Sequence, residues 1–488
     1  MNRRQFINSV GATAGLAASR QKPNVVFLSV DDLNDWVGCL GGYPGVQTPN
    51  IDKLAKRGVL FSDNHCAAPL CNPSRTALFS GLRPSTTGIY NNEQYLRPNL
   101  PELVTMPQHF RRNGYHAAGA GKVFHHVAGF NPPDQWDEFQ LQQFDDPWYR
   151  RADWYPWNQR IPLPQGHPYN GLKNFAGEFD WGVLETPESD YGDQKAVKFA
   201  KEFLARKHNK PFFLATGLWH PHIPLYSPQR FYDMYPETKV HVPETRDDDL
   251  MDLPPLAKEL AAFRRPEFER LRDAGKWKDF VRAYLAAISF ADSMVGSVID
   301  ALDQSAYASN TMLIFWSDNG WHLGEKQHVH KSTLWQRSTH VPLIFSGPGL
   351  KATGVPRTQP VSLIDLYPTL VELCGLSAPV RLDGTSLMPL LQNPRASRKP
   401  AVSTHLPGTH CVINKDWRYI TYADGSEELY DRKADRNEFQ NVASEPRHKK
   451  LKAEMAQYAP ARSAPQQPLV TDYDFDFSTY TYKRKTRP

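Results

Sequence analysis

Asn24-Val25-Val26-Phe27-Leu28-Ser29-Val30 is an almost unbroken apolar run, rich in β-branched residues, that stops abruptly at Asp31-Asp32. A strand with one wet face alternates apolar and polar residues; a run without alternation is expected where both faces are covered, as in a parallel sheet. Thr311-Met312-Leu313-Ile314-Phe315-Trp316 repeats the pattern and ends in Ser317-Asp318-Asn319-Gly320. Two of the most apolar strands thus deliver acidic residues at their carboxyl ends, where open α/β sheets gather their ligands.

Working outward, helices and strands alternate. Thr48-Pro49-Asn50-Ile51-Asp52 opens a helix through Arg57, with proline in the first turn and Gly58 closing it. Short strands are expected at Val59 to Phe61 and Val341 to Phe345, a strand at Pro211 to Thr216, and a segment from Tyr115 to Ala120 leading into Gly121. Helices are expected at Ser74 to Phe79, Met106 to Arg112, Gln194 to Lys207 and Leu363 to Leu373, and a long amphipathic one spans Phe280 to Asp303. The aromatic and proline-rich stretch from Asn131 to Gly171 reads as a long functional loop. The fold class is therefore α/β, a doubly wound, mostly parallel sheet flanked by helices. A Pro-, Arg- and Ser-rich linker at Gln392 to Pro400 precedes a hairpin, Trp417 to Tyr422 and Glu428 to Tyr430 around Asp424-Gly425. That divides the chain into a large domain, residues 21–395, and a smaller C-terminal α+β subdomain, residues 396–488.

The 488 residues are enough for such a pair. With 57 Lys and Arg against 52 Asp and Glu, the net charge of +5 is too balanced to argue for nucleic acid and is compatible with an anionic substrate. At the N-terminus, Arg3-Arg4-Gln5-Phe6-Ile7 precedes a mild apolar stretch, Val10 to Ala18, that is too short to span a bilayer. Residues 1–20 read as a twin-arginine signal peptide, or else as a plain N-terminal tail. The first reading places the mature protein in a bacterial periplasm or outside the cell. No later segment reads as a membrane helix, so no membrane anchor is expected. The five cysteines, Cys39, Cys66, Cys71, Cys374 and Cys411, contain no Cys-x-x-Cys pair, so neither a zinc ribbon nor a thioredoxin-type site is supported.

Cys71-Asn72-Pro73-Ser74-Arg75, followed by Thr76-Ala77-Leu78-Phe79-Ser80-Gly81, admits two readings: a buried cysteine before a helix, or a nucleophile site. Asp31, Asp32 and Asp318 with the amide oxygen of Asn319 form an oxygen set suited to a hard divalent cation, and Asp31-Asp32 taken alone also suits a helix cap or a solvated turn. Lys122 and His125 follow one strand, His222 in Pro221-His222-Ile223-Pro224 follows another, and Lys331 follows the Asp318 loop. Their shared position at strand ends favours a site for an anionic ester.

These segments, in this order, resemble the formylglycine-dependent sulfatases of the alkaline-phosphatase superfamily. The 71–81 stretch departs from that family's motif only in Ser80, where threonine is usual. Val30 to Leu33, Gly121 to His125, Asn319 to Glu325, Ser362 to Thr369 and Glu428 to Asp431 look like the iduronate-2-sulfatase branch. Two departures are Asn319, where that branch has histidine, and Ser332, where an aromatic residue is usual; the second puts uronate specificity in question.

The resemblance implies that Cys71 is oxidised by a formylglycine-generating or sulfatase-maturing enzyme, and that the hydrated aldehyde attacks sulfur beside one calcium ion held by Asp31, Asp32, residue 71, Asp318 and Asn319. It implies that Arg75, Lys122 and Lys331 hold sulfate oxygens, that His222, with Lys331, protonates the leaving alcohol, and that His125 removes the proton by which sulfate is later expelled. Asn91, Tyr95, Arg97, His220, Trp321 and His322 are candidate sugar-pocket residues, Trp321 equally a core aromatic. The implied activity is hydrolysis of sulfate esters on a sulfated carbohydrate, with the 2-O-sulfate of a uronic acid as the narrower expectation. A phosphonate or phosphate ester hydrolase on the same scaffold is the alternative, and a non-catalytic protein that binds sulfated glycans is a third.

Overall fold

The computed structural model describes residues 22–125, 129–140, 168–172, 179–377, 381–476 and 478–486. The expected signal peptide, and residues 126–128, 141–167 and 173–178, lie outside them.

A seven-stranded sheet organises the larger part. Its strands are β1 (Asn24–Val30), β2 (Val59–Leu60), β3 (His116–Gly121), β4 (Glu138–Gln140), β5 (Phe212–Gly217), β6 (Thr311–Ser317) and β7 (Leu343–Ser346), in spatial order β2-β7-β6-β1-β5-β3-β4. β1 lies at the centre, parallel to β5 and β6, and all seven of its residues are buried. The absence of alternation in its sequence thus has its structural cause in cover on both faces. β3 runs parallel to β5 and β4, whereas β7 is antiparallel to β6 and β2, so the sheet is mostly parallel, as expected, with antiparallel pairing at one edge. β4 is an edge strand inside the stretch expected to be loop; at three residues it is too short to give a period.

Helices α1 (Pro49–Arg57), α2 (Cys71–Ser80), α3 (Met106–Arg112), α4 (Gly192–Ala205), α5 (Trp277–Gln304) and α6 (Leu366–Leu373) flank the sheet. One apolar cluster joins alternate β1 residues such as Val26 and Leu28 to α1, α4 and α5, and a second joins Val25 and Phe27 to α2 and α3. α5 is long and apolar enough to cross a membrane by length and composition, which corrects the expectation that no later segment is. It is mostly buried, with eighteen of its residues packed inside the protein.

α2 starts at Cys71, three residues before the expected start, so Cys71 occupies the first helical position, immediately after the extended Leu70. Gly81 ends the helix in the left-handed region at φ 70°, its N–H bonded to Ala77 O. The second essential glycine is Gly121, at φ 73° where β3 turns into Lys122; a Cβ there would lie 2.1 Å from Gly217 O.

The C-terminal part is an antiparallel sheet of β8 (Ala401–Thr404), β9 (His410–Ile413), β10 (Trp417–Thr421) and β11 (Glu427–Asp431), followed by α7 (Lys449–Ala456). The β10–β11 hairpin turns at Asp424-Gly425 with Thr421 opposite Glu427. Cys411, Ile413, Ile420, Tyr422 and Tyr430 of this sheet share one apolar cluster with Leu253, Ala257, Leu334 and Trp335 of the larger part.

Candidate active site

The carboxyl ends of β1 and β6 lie side by side, and this brings Asp31, Asp32, Asp318 and Asn319 together, each with no solvent exposure. Asp32 sits at φ 57°, uncommon for a residue with a side chain. Three hydrogen bonds hold that turn: Asp32 N–H to Asp318 Oδ1 at 3.2 Å, Leu33 N–H to Ser317 Oγ at 3.0 Å, and Tyr284 O–H of α5 to Asp32 O at 2.6 Å. Neither Ser317 nor Tyr284 stands out in the sequence, because each acts through a partner distant along the chain.

The first residue of α2 points into this cluster. Cys71 Sγ lies 2.8 Å from Lys331 Nζ, 3.6 Å from Asp31 Oδ1, and 3.9 Å from both Asp32 Oδ1 and Lys122 Nζ. Lys122 also binds Asp31 Oδ2, with its ammonium 4.2 Å from the centre of the Trp219 ring, and Lys331 binds Asp32 Oδ1 at 2.5 Å. Trp219 was not among the expected site residues; only the packed fold sets it under Lys122.

Arg75, one turn along α2, is buried and makes four hydrogen bonds: Nε to Asp318 Oδ2 at 2.8 Å, Nη2 to Asp31 Oδ1 at 3.2 Å, and Nη1 to the carbonyls of Lys122 at 2.5 Å and Val123 at 2.8 Å. It therefore clamps two carboxylates and the β3 loop, where the sequence suggested a direct hold on the ester anion.

The donor set suits a hard cation. Asp32 Oδ2 and Asn319 Oδ1 are buried and lack a hydrogen-bond partner among the described residues, while Asn319 Nδ2 donates to Asp32 Oδ1 at 2.7 Å. Two orphaned oxygens cost desolvation without return unless a cation or a donor meets them, and oxygen is what magnesium or calcium takes. Asp31, Asp32, Cys71 and His222 also offer ligand atoms within 4.8 Å of one another.

Electrostatics follow from burial and mixed charge. Burial works to raise Asp31, but Lys122, His222, Arg75 and Lys331 hold it well below the usual carboxylate range. Burial, with Asp31 and Asp318 nearby and against the pull of Lys331, lifts Asp32 to about 7. Burial and Asp31 push the Cys71 thiol up, so as a plain thiol it is a poor nucleophile. Burial, reinforced by Lys122 and Lys331, keeps His222 neutral, and burial and Lys122 do the same for His125.

His222 closes one side: Nδ1 meets Ile223 O at 2.6 Å and Nε2 approaches Asp32 Oδ2 at 3.5 Å. His125, buried, packs edge-on against Phe130 at 4.9 Å. Among the six candidate sugar-pocket residues, Trp321 touches this region, its ring 6.3 Å from that of His222 and 5.6 Å from Lys331 Nζ. His330, which the sequence did not single out, packs against Trp321 with ring centres 4.3 Å apart and planes tilted by 43°.

The other five are engaged in the protein's own contacts. His220 uses both ring nitrogens, on Asp193 at 2.6 Å and Tyr226 O at 2.8 Å, and His322 uses both, on Glu325 O at 3.1 Å and Thr333 Oγ1 at 2.9 Å. Asn91 bonds Glu93 N–H through its side chain and receives Asn72 Nδ2 on its carbonyl, which steadies the loop beside Cys71. Tyr95 packs among Phe130, Tyr473, Phe475 and Tyr482, and Arg97 bonds Leu103 O at 2.7 Å.

Chemically, the arrangement concentrates carboxylates, ammonium groups and one helix-borne residue in a buried cluster. Such preorganised charge suits the transfer of an anionic group.

The sulfatase family profile matches residues 23–376, and a profile described as the C-terminal region of N-sulphoglucosamine sulphohydrolase matches residues 324–461. The chain is 38% identical to a sulfatase of Formosa agariphila over 481 residues, covering 96% of this chain and 91% of that one. It is 32% identical to human iduronate 2-sulfatase over 406 residues, covering 73% and 70%. Among solved structures, the phosphonate monoester hydrolase of Agrobacterium radiobacter superimposes with a TM-score of 0.72 over 89% of this chain and 94% of that one; at 21% identity, the likeness is one of fold.

Proposed function

Because the chain belongs to the sulfatase family and is a sulfuric ester hydrolase, we propose that it removes sulfate from a sulfated carbohydrate, with Cys71 matured to formylglycine and one calcium ion in the site. The observation that carries this is the placement of Cys71 at the head of α2, with Lys331 Nζ 2.8 Å away and Asp31 Oδ1 3.6 Å away. A thiol so buried and so far from ionising has little use as it stands, whereas an oxygen nucleophile at that position would face the cationic groups an anionic ester needs.

Asp31, Asp32, Asp318 and Asn319 would hold the cation, which when bound supplies Lewis-acid polarisation, and the aldehyde at residue 71 supplies in its hydrate the attacking oxygen. Lys122 and Lys331 bind the peripheral sulfate oxygens. Arg75 keeps Asp31 and Asp318 in register. His222, neutral at rest with its Nδ1–H tied to Ile223 O, has an unprotonated Nε2 that would first take a proton from solvent and then pass it to the departing alcohol, and His125 serves the proton that must leave residue 71. The likeness to human iduronate 2-sulfatase supports a uronic acid 2-O-sulfate as the narrower substrate. The N-terminal Arg3-Arg4 pair supports export of the folded, matured enzyme by the twin-arginine route, to the periplasm or beyond.

The test has two parts. Mass measurement of the peptide containing residue 71 should show conversion of thiol to aldehyde, and release of sulfate should exceed release of phosphate across a matched panel of sugar esters. Activity that survives Cys71→Ala would sink the mechanism, and faster phosphate release would move the protein to phosphate or phosphonate ester hydrolysis.

A further inference from the structure

The segment that carries Lys331 is strained, and the C-terminal sheet holds it in place. Lys326, Gln327, His330 and Ser332 have φ of 57°, 49°, 99° and 74°, conformations that residues with side chains keep only when their surroundings impose them. On one flank of Lys331, the buried Lys326 ammonium donates to Asp249 Oδ1 at 2.7 Å and to Glu438 O, and lies over the rings of Trp335 and Tyr430. On the other flank, Gln336 N–H donates to Glu438 Oε2 at 2.8 Å, and Trp335 Nε1 to Glu428 Oε2 at 2.8 Å. Arg418 of β10, fully buried, pairs with Glu438 Oε1 at 2.5 Å and donates to Leu334 O at 2.9 Å and Thr339 Oγ1 at 3.0 Å. One acidic residue thus meets both flanks of the segment, through its backbone on one side and its carboxylate on the other. The matched C-terminal profile begins at residue 324 and so spans both this segment and the sheet.

We propose that Glu438 is a positioning residue for Lys331: it clamps Lys326, Gln336 and Arg418, and so fixes the ammonium beside residue 71. The proposal rests on the reading that Lys331 holds the sulfate group. Without the clamp, the segment would relax from its strained backbone, and Lys331 Nζ would move from its place 2.8 Å from Cys71 Sγ.

A double-mutant cycle on the full-length protein tests this, with binding of inorganic sulfate by calorimetry as one readout and kcat for ester hydrolysis as the other. Glu438→Ala and Lys331→Ala should each weaken both on the order of tenfold, and the double variant should be no worse than Lys331→Ala alone. Glu438→Gln, which keeps an acceptor oxygen for Gln336 N–H but not the charge opposite Arg418, should restore part of the loss. Effects that multiply in the double variant overturn the proposal by itself. A Lys331→Ala protein that binds sulfate normally overturns it together with its premise. Should Glu438→Ala fail to fold, Lys326→Met, which keeps the aliphatic stem between Trp335 and Tyr430, goes through the same cycle with the same outcomes.

Discussion

Arg75 Nε donates to Asp318 Oδ2 at 2.8 Å while its Nη2 reaches Asp31 Oδ1 at 3.2 Å, so one buried guanidinium ties the ends of β1 and β6 together from the first turns of α2. The two strands are adjacent and parallel, and the carboxylates that follow them would repel each other without a cation between them. Position 75 is therefore structural as well as catalytic in consequence.

Arg75→Lys should lower stability by about 3 kcal/mol or more, because an ammonium cannot span two carboxylates and two carbonyls and leaves buried acceptors without donors. Urea unfolding with Cys71 intact measures it. A loss under 1 kcal/mol would mean that the fork is dispensable to the fold.

His220 and His222 flank Pro221 yet should respond to substitution in opposite ways. His220→Ala removes the ring that bridges Asp193 and Tyr226 O and should destabilise the protein by about 1–3 kcal/mol. His222→Ala should leave the unfolding midpoint near wild type and lower kcat on the order of a hundredfold, as removal of a general acid does. Thermal unfolding and steady-state kinetics on the same two preparations separate the roles, and interchanged phenotypes would refute them.

How much of this was legible beforehand follows from the range of the interactions. β1 and β6 announce themselves because burial on both faces removes nearly every polar residue from the middle of a local window, and the acids after them mark the strand ends. The register of the β10–β11 hairpin is equally local, set by Asp424-Gly425. The antiparallel course of β7 was not legible, since strand direction depends on the path of the chain and not on the apolar content of Leu343 to Ser346. Nor were Tyr284, Trp219 and Glu438, ordinary residues made functional by neighbours far along the chain. His220 and His322 show the converse: a suggestive position near the motifs, but ring nitrogens already satisfied by local partners.

Metal removal should have a graded effect. Asp32 Oδ2 and Asn319 Oδ1 are buried and make no hydrogen bond among the described residues, His222 Nε2 coming no nearer to Asp32 Oδ2 than 3.5 Å, so a cation that meets them stabilises the folded state by mass action. At a free concentration about one hundred times its dissociation constant, the gain is about 2.7 kcal/mol. Dialysis against a chelator should lower the melting temperature and added calcium should restore it, while Asp32→Asn should abolish the calcium response. A melting temperature indifferent to calcium in the wild-type protein would refute the oxygen site.

Part of the acid sensitivity should arise away from the active site, at His65. This histidine is fully buried, with Nε2 3.0 Å from Asp63 Oδ1, and Asp63 also pairs with Arg432 of the C-terminal part. Burial, only partly offset by Asp63, lowers the His65 pKa from its usual 6.5 to about 3. Burial works to raise Asp63, but His65 and Arg432 hold it below the ordinary carboxylate range. Below pH 6.5 the unfolded chain takes up a proton at residue 65 that the folded protein does not, so the unfolded state gains relative to the folded one as pH falls from about 6.5 towards 3. Asp63 acts in the same direction at lower pH, since its contribution is complete above the usual carboxylate value and disappears as pH falls through its depressed one. The denaturation midpoint should therefore be flat above pH 7 and decline steadily between pH 6.5 and 4. His65→Gln, which keeps a donor for Asp63 but cannot titrate, should make that decline shallower, the remainder coming from the other buried histidines such as His405 and His410; an unchanged slope would assign the acid sensitivity wholly to those groups.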